Sequence, residues 1–321
     1  IIADATLQFI VRHVGLHTGQ VLEHTGVLAL DDLEVPPETH GATSPVATFL
    51  TADALPSWLF PRRRNTHKGE SGRALCIGGD HGSGGAIVLC AEAALRSGAG
   101  LVDVATRELH VPVVLARRPE VMAHGIESGE DLEPLLSRAG AIGIGPGLGQ
   151  GEWGKAMLRL ALASQNPLVL DADALNFLAA APRVLTDAIL TPHPGEAARL
   201  LGIDTAAVQA DRFAAAAAIA VRYEAVTVLK GAGTVIAAPG QLPCVISAGN
   251  PGMAVGGMGD VLTGVILALR AQGLSAFDAA CAGALLHSLA GDAAAGDGER
   301  GLLPSDLFPH LRRLANPGDL E

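Results

Sequence analysis

The chain has 321 residues, 49% hydrophobic and 17% charged, with 40 Gly and 19 Pro, which is material for one large globular core plus an appendage. Its formal net charge of -11 excludes a general binder of nucleic acid or of anionic membranes, and glycines and charges cut every apolar run well short of a bilayer span. An anionic ligand must therefore be held locally. Lys68, Lys155 and Lys230 are the only lysines, and two of them, Lys68 and Lys230, fall in the glycine-bearing motifs described below. Cys76, Cys90, Cys244 and Cys281 are scattered without metal-ligand spacing, as expected for free thiols in the reducing cytoplasm.

Residues 1–35 carry two short strands, from Ala3 to Ile10 and from Val27 to Leu30, with turns at Gly15, Gly19 and Gly26 between them. Two such strands cannot bury a core alone. They need either a partner upstream or a seat on the main domain. The chain opens on Ile1 rather than Met, which suits a piece of a longer protein. Residues 36–48, rich in Pro and Thr, read as a linker. From residue 49 to 317 strands and helices alternate. Strands are expected at 74–77, 101–104, 141–144, 168–171, 188–191 and 225–229. Helices are expected from Ala86 to Arg96, from about Trp153, from Pro194 and across the alanine run 214–218. This is an α/β pattern: a mostly parallel central sheet with helices on both faces. Ligands of such sheets sit beyond the carboxyl ends of the strands.

The polar signals cluster at those ends. Thr66-His67-Lys68-Gly69 precedes the first strand of the domain, and Lys68 there suits either phosphate contact or solvent. Gly78 to Ala86 turns from that strand into a helix and could cradle phosphate, although it fits neither the Rossmann nor the Walker A order. Gly145-Pro146-Gly147-Leu148-Gly149 is a second such loop. Asp171-Ala172-Asp173 ends a strand with two acids, which suits Mg²⁺ held through water or a helix N-cap at Asp173. In Thr191-Pro192-His193-Pro194-Gly195-Glu196 two prolines brace His193, and Glu196 falls in the first helical turn. Lys230-Gly231-Ala232-Gly233-Thr234 joins an ammonium to a glycine turn, a combination that can reach a nucleotide phosphate.

The stretch from Asn250 to Thr263 organises the rest. It is glycine-dense and runs into the apolar segment 261–269. A glycine turn at a helix N-terminus is an anion site, because unpaired N–H groups and the helix dipole face the ligand. Gly256, Gly257, Met258 and Gly259 would form the anion hole. Asp260 would repel a phosphate, so its expected task is to take a proton from a hydroxyl while the amides hold a migrating phosphoryl group.

Taken together, these motifs resemble the ADP/ATP-dependent NAD(P)H-hydrate dehydratases, from about Phe49 to Pro317, in order and without large gaps. The resemblance implies a ribokinase-like fold and a repair reaction. NADH or NADPH hydrated at C6 of its ring (NADHX or NADPHX, S epimer) is phosphorylated on the C6 hydroxyl by ADP or ATP, then loses phosphate. It implies Asp260 as the base. Lys230, Gly231, Ala232, Gly233, Thr234 and Gly259 would bind the nucleotide, and Ala86, Gly147, His193 and Asp260 the hydrated dinucleotide. Lys68, Asp173, Glu196 and Asn250 are further candidates. Mg²⁺ is expected, held through water by Glu196 or Asp173, and a homotetramer is favoured. Residues 1–35 are similar to the C-terminal tail of the NAD(P)H-hydrate epimerase domain, so epimerase activity is not expected of this chain. The competing readings are a ribokinase-like hydroxymethylpyrimidine or thiazole kinase, and a nucleotide-binding module without catalysis, which would not need Asp260.

Overall fold

Twelve strands form two sheets in the computed structural model, which describes residues 1–41 and 44–316. Linker residues Ala42 and Thr43, and the domain end expected at residue 317, lie outside the described residues. The strands are β1 (Ala5–Phe9), β2 (Val27–Asp31), β3 (Thr48–Phe49), β4 (Arg73–Ile77), β5 (Leu101–Thr106), β6 (Met122–Gly125), β7 (Ala141–Ile144), β8 (Leu168–Leu170), β9 (Ala188–Leu190), β10 (Val226–Leu229), β11 (Thr234–Ala237) and β12 (Cys244–Ile246). β1 and β2 pair in parallel, Ala5 opposite Val27. The other ten form one sheet in the order β3-β12-β11-β10-β9-β8-β7-β4-β5-β6.

β7, β8, β9 and β10 are buried along their whole length. That is why they read as unbroken apolar runs rather than alternating ones: helices cover both faces of the sheet. One face packs on the helices Gly84–Arg96, Met258–Ala271, Ala276–Ala294 and Leu307–Leu314. The other packs on Glu152–Ala163, Ala172–Ala180, Pro194–Leu201 and Arg212–Tyr223. The alanine run lies in the last of these, opened by Asp211, whose carboxylate accepts from Ala214 N. Small side chains there let the helix lie close to the sheet.

The sheet is parallel except at β11, which is antiparallel to both β10 and β12. The sequence reading ended its strands at β10 and missed this hairpin. The reversal comes from the turn after β10, where Gly231 and Gly233 take φ of +125° and +65°, angles that side chains disfavour. β3 begins inside the expected linker, since Thr48 already pairs with Cys244 of β12. The chain winds from β4 outward to β5 and β6, then reverses to β7 on the other side of β4. A crevice at such a switch point is where doubly wound sheets hold ligands. Residues 1–35 take a seat on the main domain, one of the two options the sequence left open. His17 is buried with its ring 4.5 Å from that of Phe49, and Ser247 Oγ donates to the His17 carbonyl at 3.1 Å.

Candidate active site

The helix Met258–Ala271 is buried on nearly all sides from Val261 onward, wedged between the sheet and two other helices. Its start is the exception. The N-cap is Gly257 at φ +98°, and a Cβ there would lie 2.7 Å from Leu89 Cδ1. A glycine cap brings no side-chain acceptor, so the N–H groups of the first turn are uncapped and carry the positive end of the helix dipole.

Asp260 sits in that first turn. Beyond it, at the ends of β8, β9 and β10, Asp171, Thr191 and Lys230 form one cluster. Lys230 Nζ lies 2.6 Å from Asp171 Oδ1 and 3.8 Å from Glu196 Oε2. Thr191 Oγ1 donates to Asp171 Oδ1, and Thr263 Oγ1 to Asp171 Oδ2, each at 2.9 Å. Gly259 faces this cluster: a Cβ on it would stand 3.4 Å from Lys230 Nζ and 3.5 Å from Asp171 Oδ2. Burial pushes the Asp260 carboxyl up to about 7, the Asp171 carboxylate adds to the push, and Lys230 only partly offsets it. For Lys230 burial works against the charge, but Asp171 and Glu196 outweigh it and raise its pKa. The site thus holds a fixed ammonium beside a carboxyl that titrates near neutrality.

His193 is the N-cap of the helix Pro194–Leu201. Its Nδ1 accepts from Gly195 N at 3.0 Å and Glu196 N at 3.4 Å, and Glu196 Oε2 accepts from His193 N at 2.8 Å. An accepting Nδ1 leaves the ring proton on Nε2, which lies 3.3 Å from Glu196 Oε1. Burial lowers the His193 pKa, with Glu196 opposing and Lys230 assisting, so a neutral ring faces the site. Gly147 and Ala86 meet across the switch point. Gly79 N donates to Pro146 O at 3.0 Å and Asp80 N to Gly147 O at 2.6 Å. At Gly147, φ is +57°, and a Cβ would lie 2.7 Å from Ser83 O and 3.1 Å from Ala86 Cβ. The two glycine loops are therefore locked edge to edge.

One sequence expectation is corrected, and the structure places the remaining candidates. Asp171, not Asp173, is the N-cap position of the helix Ala172–Ala180, and its carboxylate serves Lys230 and the two threonines instead of that helix. Asp173 ties down the neighbouring loop, accepting from Gly149 N at 3.0 Å and Gln150 Nε2 at 3.2 Å. Asn250 caps its own turn, accepting from Gly252 N at 3.0 Å, and donates to Asp292 Oδ1 at 3.0 Å. Lys68 is exposed on the loop ahead of β4, with its carbonyl against Gly100 just before β5. That is the amino edge of the sheet, away from the cluster. As for Mg²⁺, no group of three His, Cys, Asp or Glu fit to hold a metal occurs among the described residues. Both candidate carboxylates, Glu196 and Asp173, are already committed to protein donors, so a cage built from protein ligands does not fit.

A family model described as NAD(P)H-hydrate dehydratase (Carb_kinase) matches residues 74–313. The chain belongs to the NAD(P)H-hydrate dehydratase family. It is 50% identical over 316 residues to the bifunctional NAD(P)H-hydrate repair enzyme Nnr of Coxiella burnetii, covering 98% of this chain and 65% of that protein. It is 41% identical over 276 residues to the ADP-dependent (S)-NAD(P)H-hydrate dehydratase of Neisseria meningitidis, covering 83% of this chain and 92% of that one. A crystal structure of a ribokinase-like superfamily protein from Enterococcus faecalis superposes with a TM-score of 0.80 at 31% identity, over 86% of this chain and 97% of that one. The fold is ribokinase-like. The chain thus spans somewhat less than two thirds of the length of its bifunctional relative.

Three members of the candidate site were not marked out individually by the sequence. Thr191 and Thr263 matter only because both reach Asp171 across the fold. His287 lies in an apolar helix that displayed nothing unusual, yet its Nε2 is buried without a partner among the described residues. Burial brings its pKa to about 4, with the Met258 backbone opposing and Lys230 assisting. A separate cavity of about 510 Å³, lined by Trp58, Arg62, Glu92, Arg118 and Arg312 among others, contains none of the candidate residues.

Proposed function

We propose that this chain restores NADH and NADPH from their S-configured C6 hydrates at the expense of ADP, or of ATP. Asp260 accepts the C6 hydroxyl proton as that oxygen attacks the terminal phosphorus of the nucleotide. The amides of Gly256, Gly257, Met258 and Gly259, with Lys230 close behind, neutralise the charge on the migrating group, and AMP (or ADP) departs. The ring nitrogen lone pair then expels phosphate by breaking the C6–O bond. Loss of a proton from C5 completes the dihydropyridine. Ala86, Gly147 and His193 would seat the hydrated dinucleotide, and residues 230–234 the other nucleotide. Mg²⁺ would be carried largely by phosphate oxygens and water, as hard cations of that size prefer.

The observation that supports this reading most is the single acid in the first turn of an uncapped helix, poised near neutral pH beside a fixed ammonium. Chemistry of this kind, in a homo-oligomer of the cytoplasm, fits the metabolite-repair names of the relatives. Epimerisation is not part of the proposal. Two experiments test it. NADHX, ADP and Mg²⁺ should give back the near-ultraviolet absorbance of reduced nicotinamide; a stable phosphorylated small molecule would point to the kinase instead. The pH profile is the second test. A base must be deprotonated to act, so kcat/KM should fall about tenfold per pH unit below an apparent pKa of about 7. A flat profile down to pH ~5 would remove Asp260 as the base.

A further inference from the structure

The amino-terminal segment grips the turn between β10 and β11. Gly19 N donates to Ala232 O at 2.9 Å, and Thr18 Oγ1 donates to Gly233 O at 2.5 Å. The same hydroxyl accepts from Arg212 Nε at 2.8 Å. Arg212 is 3% exposed, and its Nη2 spreads over the carbonyls of Leu229 and Lys230 at 3.1 Å each and of Gly233 at 3.4 Å. A side chain on Gly233 would collide with the His17 carbonyl and Thr18 Cα. The turn is therefore clamped between Arg212 on one side and residues 17–19 on the other.

The grip falls on one kind of atom. Every bond from Gly19, Thr18 and Arg212 to the turn ends on a carbonyl oxygen. The N–H groups of Gly231, Ala232 and Gly233 donate to nothing among the described residues. A turn whose carbonyls are tied down and whose amides are unspent is a preorganised anion nest. Residues 17–19 are themselves fixed by the His17 ring on Phe49, by Gln8 Oε1 3.3 Å from His17 Nε2, and by Ser247.

We infer that Thr18, together with Gly19 and Arg212, positions the nucleotide loop, so that residues 1–35 set the affinity of the dehydratase for ADP. This rests on the proposed reading of 230–234 as the nucleotide loop. Thr18 touches no substrate and acts through the turn. The test is steady-state kinetics on the whole chain with Thr18→Ala, Thr18→Ser, Thr6→Ala and Gly231→Ala. Thr18→Ala should raise KM for ADP about five- to tenfold with kcat and KM for NADHX within about twofold. Thr18→Ser keeps the hydroxyl and should recover the wild-type value. Thr6→Ala loses only the 2.7 Å bond to Thr25 O inside the segment and should leave KM for ADP unchanged. An unchanged KM for ADP in Thr18→Ala, an equal rise in both KM values, or no recovery by serine would overturn the inference. Gly231→Ala separates the two levels, because its φ of +125° disfavours a side chain. If it raises KM for ADP while Thr18→Ala does not, only the positioning role fails. If it leaves KM for ADP unchanged, the nucleotide loop is misplaced and both fail.

Discussion

Asp260→Asn should lower kcat by about three orders of magnitude, the scale of a lost general base, while the Kd for ADP stays within about threefold. The amide keeps the size of the carboxylate and leaves the uncapped turn and Lys230 in place, so the anion site survives. What disappears is the proton acceptor. Isothermal titration with ADP, run beside the absorbance assay, separates the two effects; turnover within tenfold of wild type would end the assignment. The same substitution should stabilise the fold at mildly alkaline pH. The Asp260 pKa is raised on folding from 3.8 to about 7. Its contribution to stability is therefore intact below the unfolded pKa and is lost as pH rises through the folded one. Asparagine has no such loss. Urea midpoints should favour the variant by about 1–3 kcal/mol near pH 8 and converge with wild type near pH 4. A catalytic group held at a cost in stability is the expected exchange at an active site.

Asp171→Ala is the second large effect, and it acts on the fold. Asp171 is 1% exposed and accepts from Lys230, Thr191 and Thr263 at once. Removing it leaves the Lys230 ammonium with only Glu196 at 3.8 Å and the buried Thr263 hydroxyl without its acceptor, while Thr191 keeps the Leu170 carbonyl at 3.2 Å; breaking such a buried pair costs about 3–5 kcal/mol. The urea midpoint should drop accordingly, and an unchanged midpoint would show that water replaces the carboxylate without penalty. The kinetics of whatever variant remains folded should change in a defined direction. Asp171 pushes the Asp260 pKa up, and without it Lys230 has one carboxylate fewer to face. The acid limb of the pH profile should therefore move to lower pH. Asp171→Asn, which keeps the shape, should show the same shift with a smaller loss of stability.

The parallel part of the sheet was legible because full burial writes itself as continuous apolar strands: Ala141 to Ile144 and Val226 to Leu229 announce their own elements. The hairpin after β10 was not. Its strands are short, and the two glycines that fold it back read equally well as a phosphate loop, which is also what they are proposed to be. Within the site, Lys230, His193 and Gly147 stood out because each lies next to a glycine or a proline after a strand, and Asp260 because it follows a glycine turn into a helix. Asp171 and Asp173 were visible as a pair, but not their division of labour. The turn from extended backbone at Asp171 through Ala172, whose φ is +46°, sends one carboxylate toward Lys230 and the other toward Gly149, and no local pattern decides which. Lys68 stayed open for the converse reason: a basic pair beside a glycine suits phosphate or solvent wherever it occurs, and only the topology places it at the amino edge of the sheet. Contacts between residues about two hundred positions apart, such as Thr18 with Gly233, leave no trace in a single sequence.

The crowding at Gly233 also bears on how this protein can evolve. Its φ of +65° would by itself admit asparagine or aspartate, which tolerate left-handed backbone, but the neighbouring His17 carbonyl forbids any side chain. A lineage that lost the amino-terminal strands by gene fission would be released from the steric half of that restriction and keep only the conformational half. Drift at this one codon, from glycine to a glycine–asparagine mixture, should then mark which descendants parted from the segment.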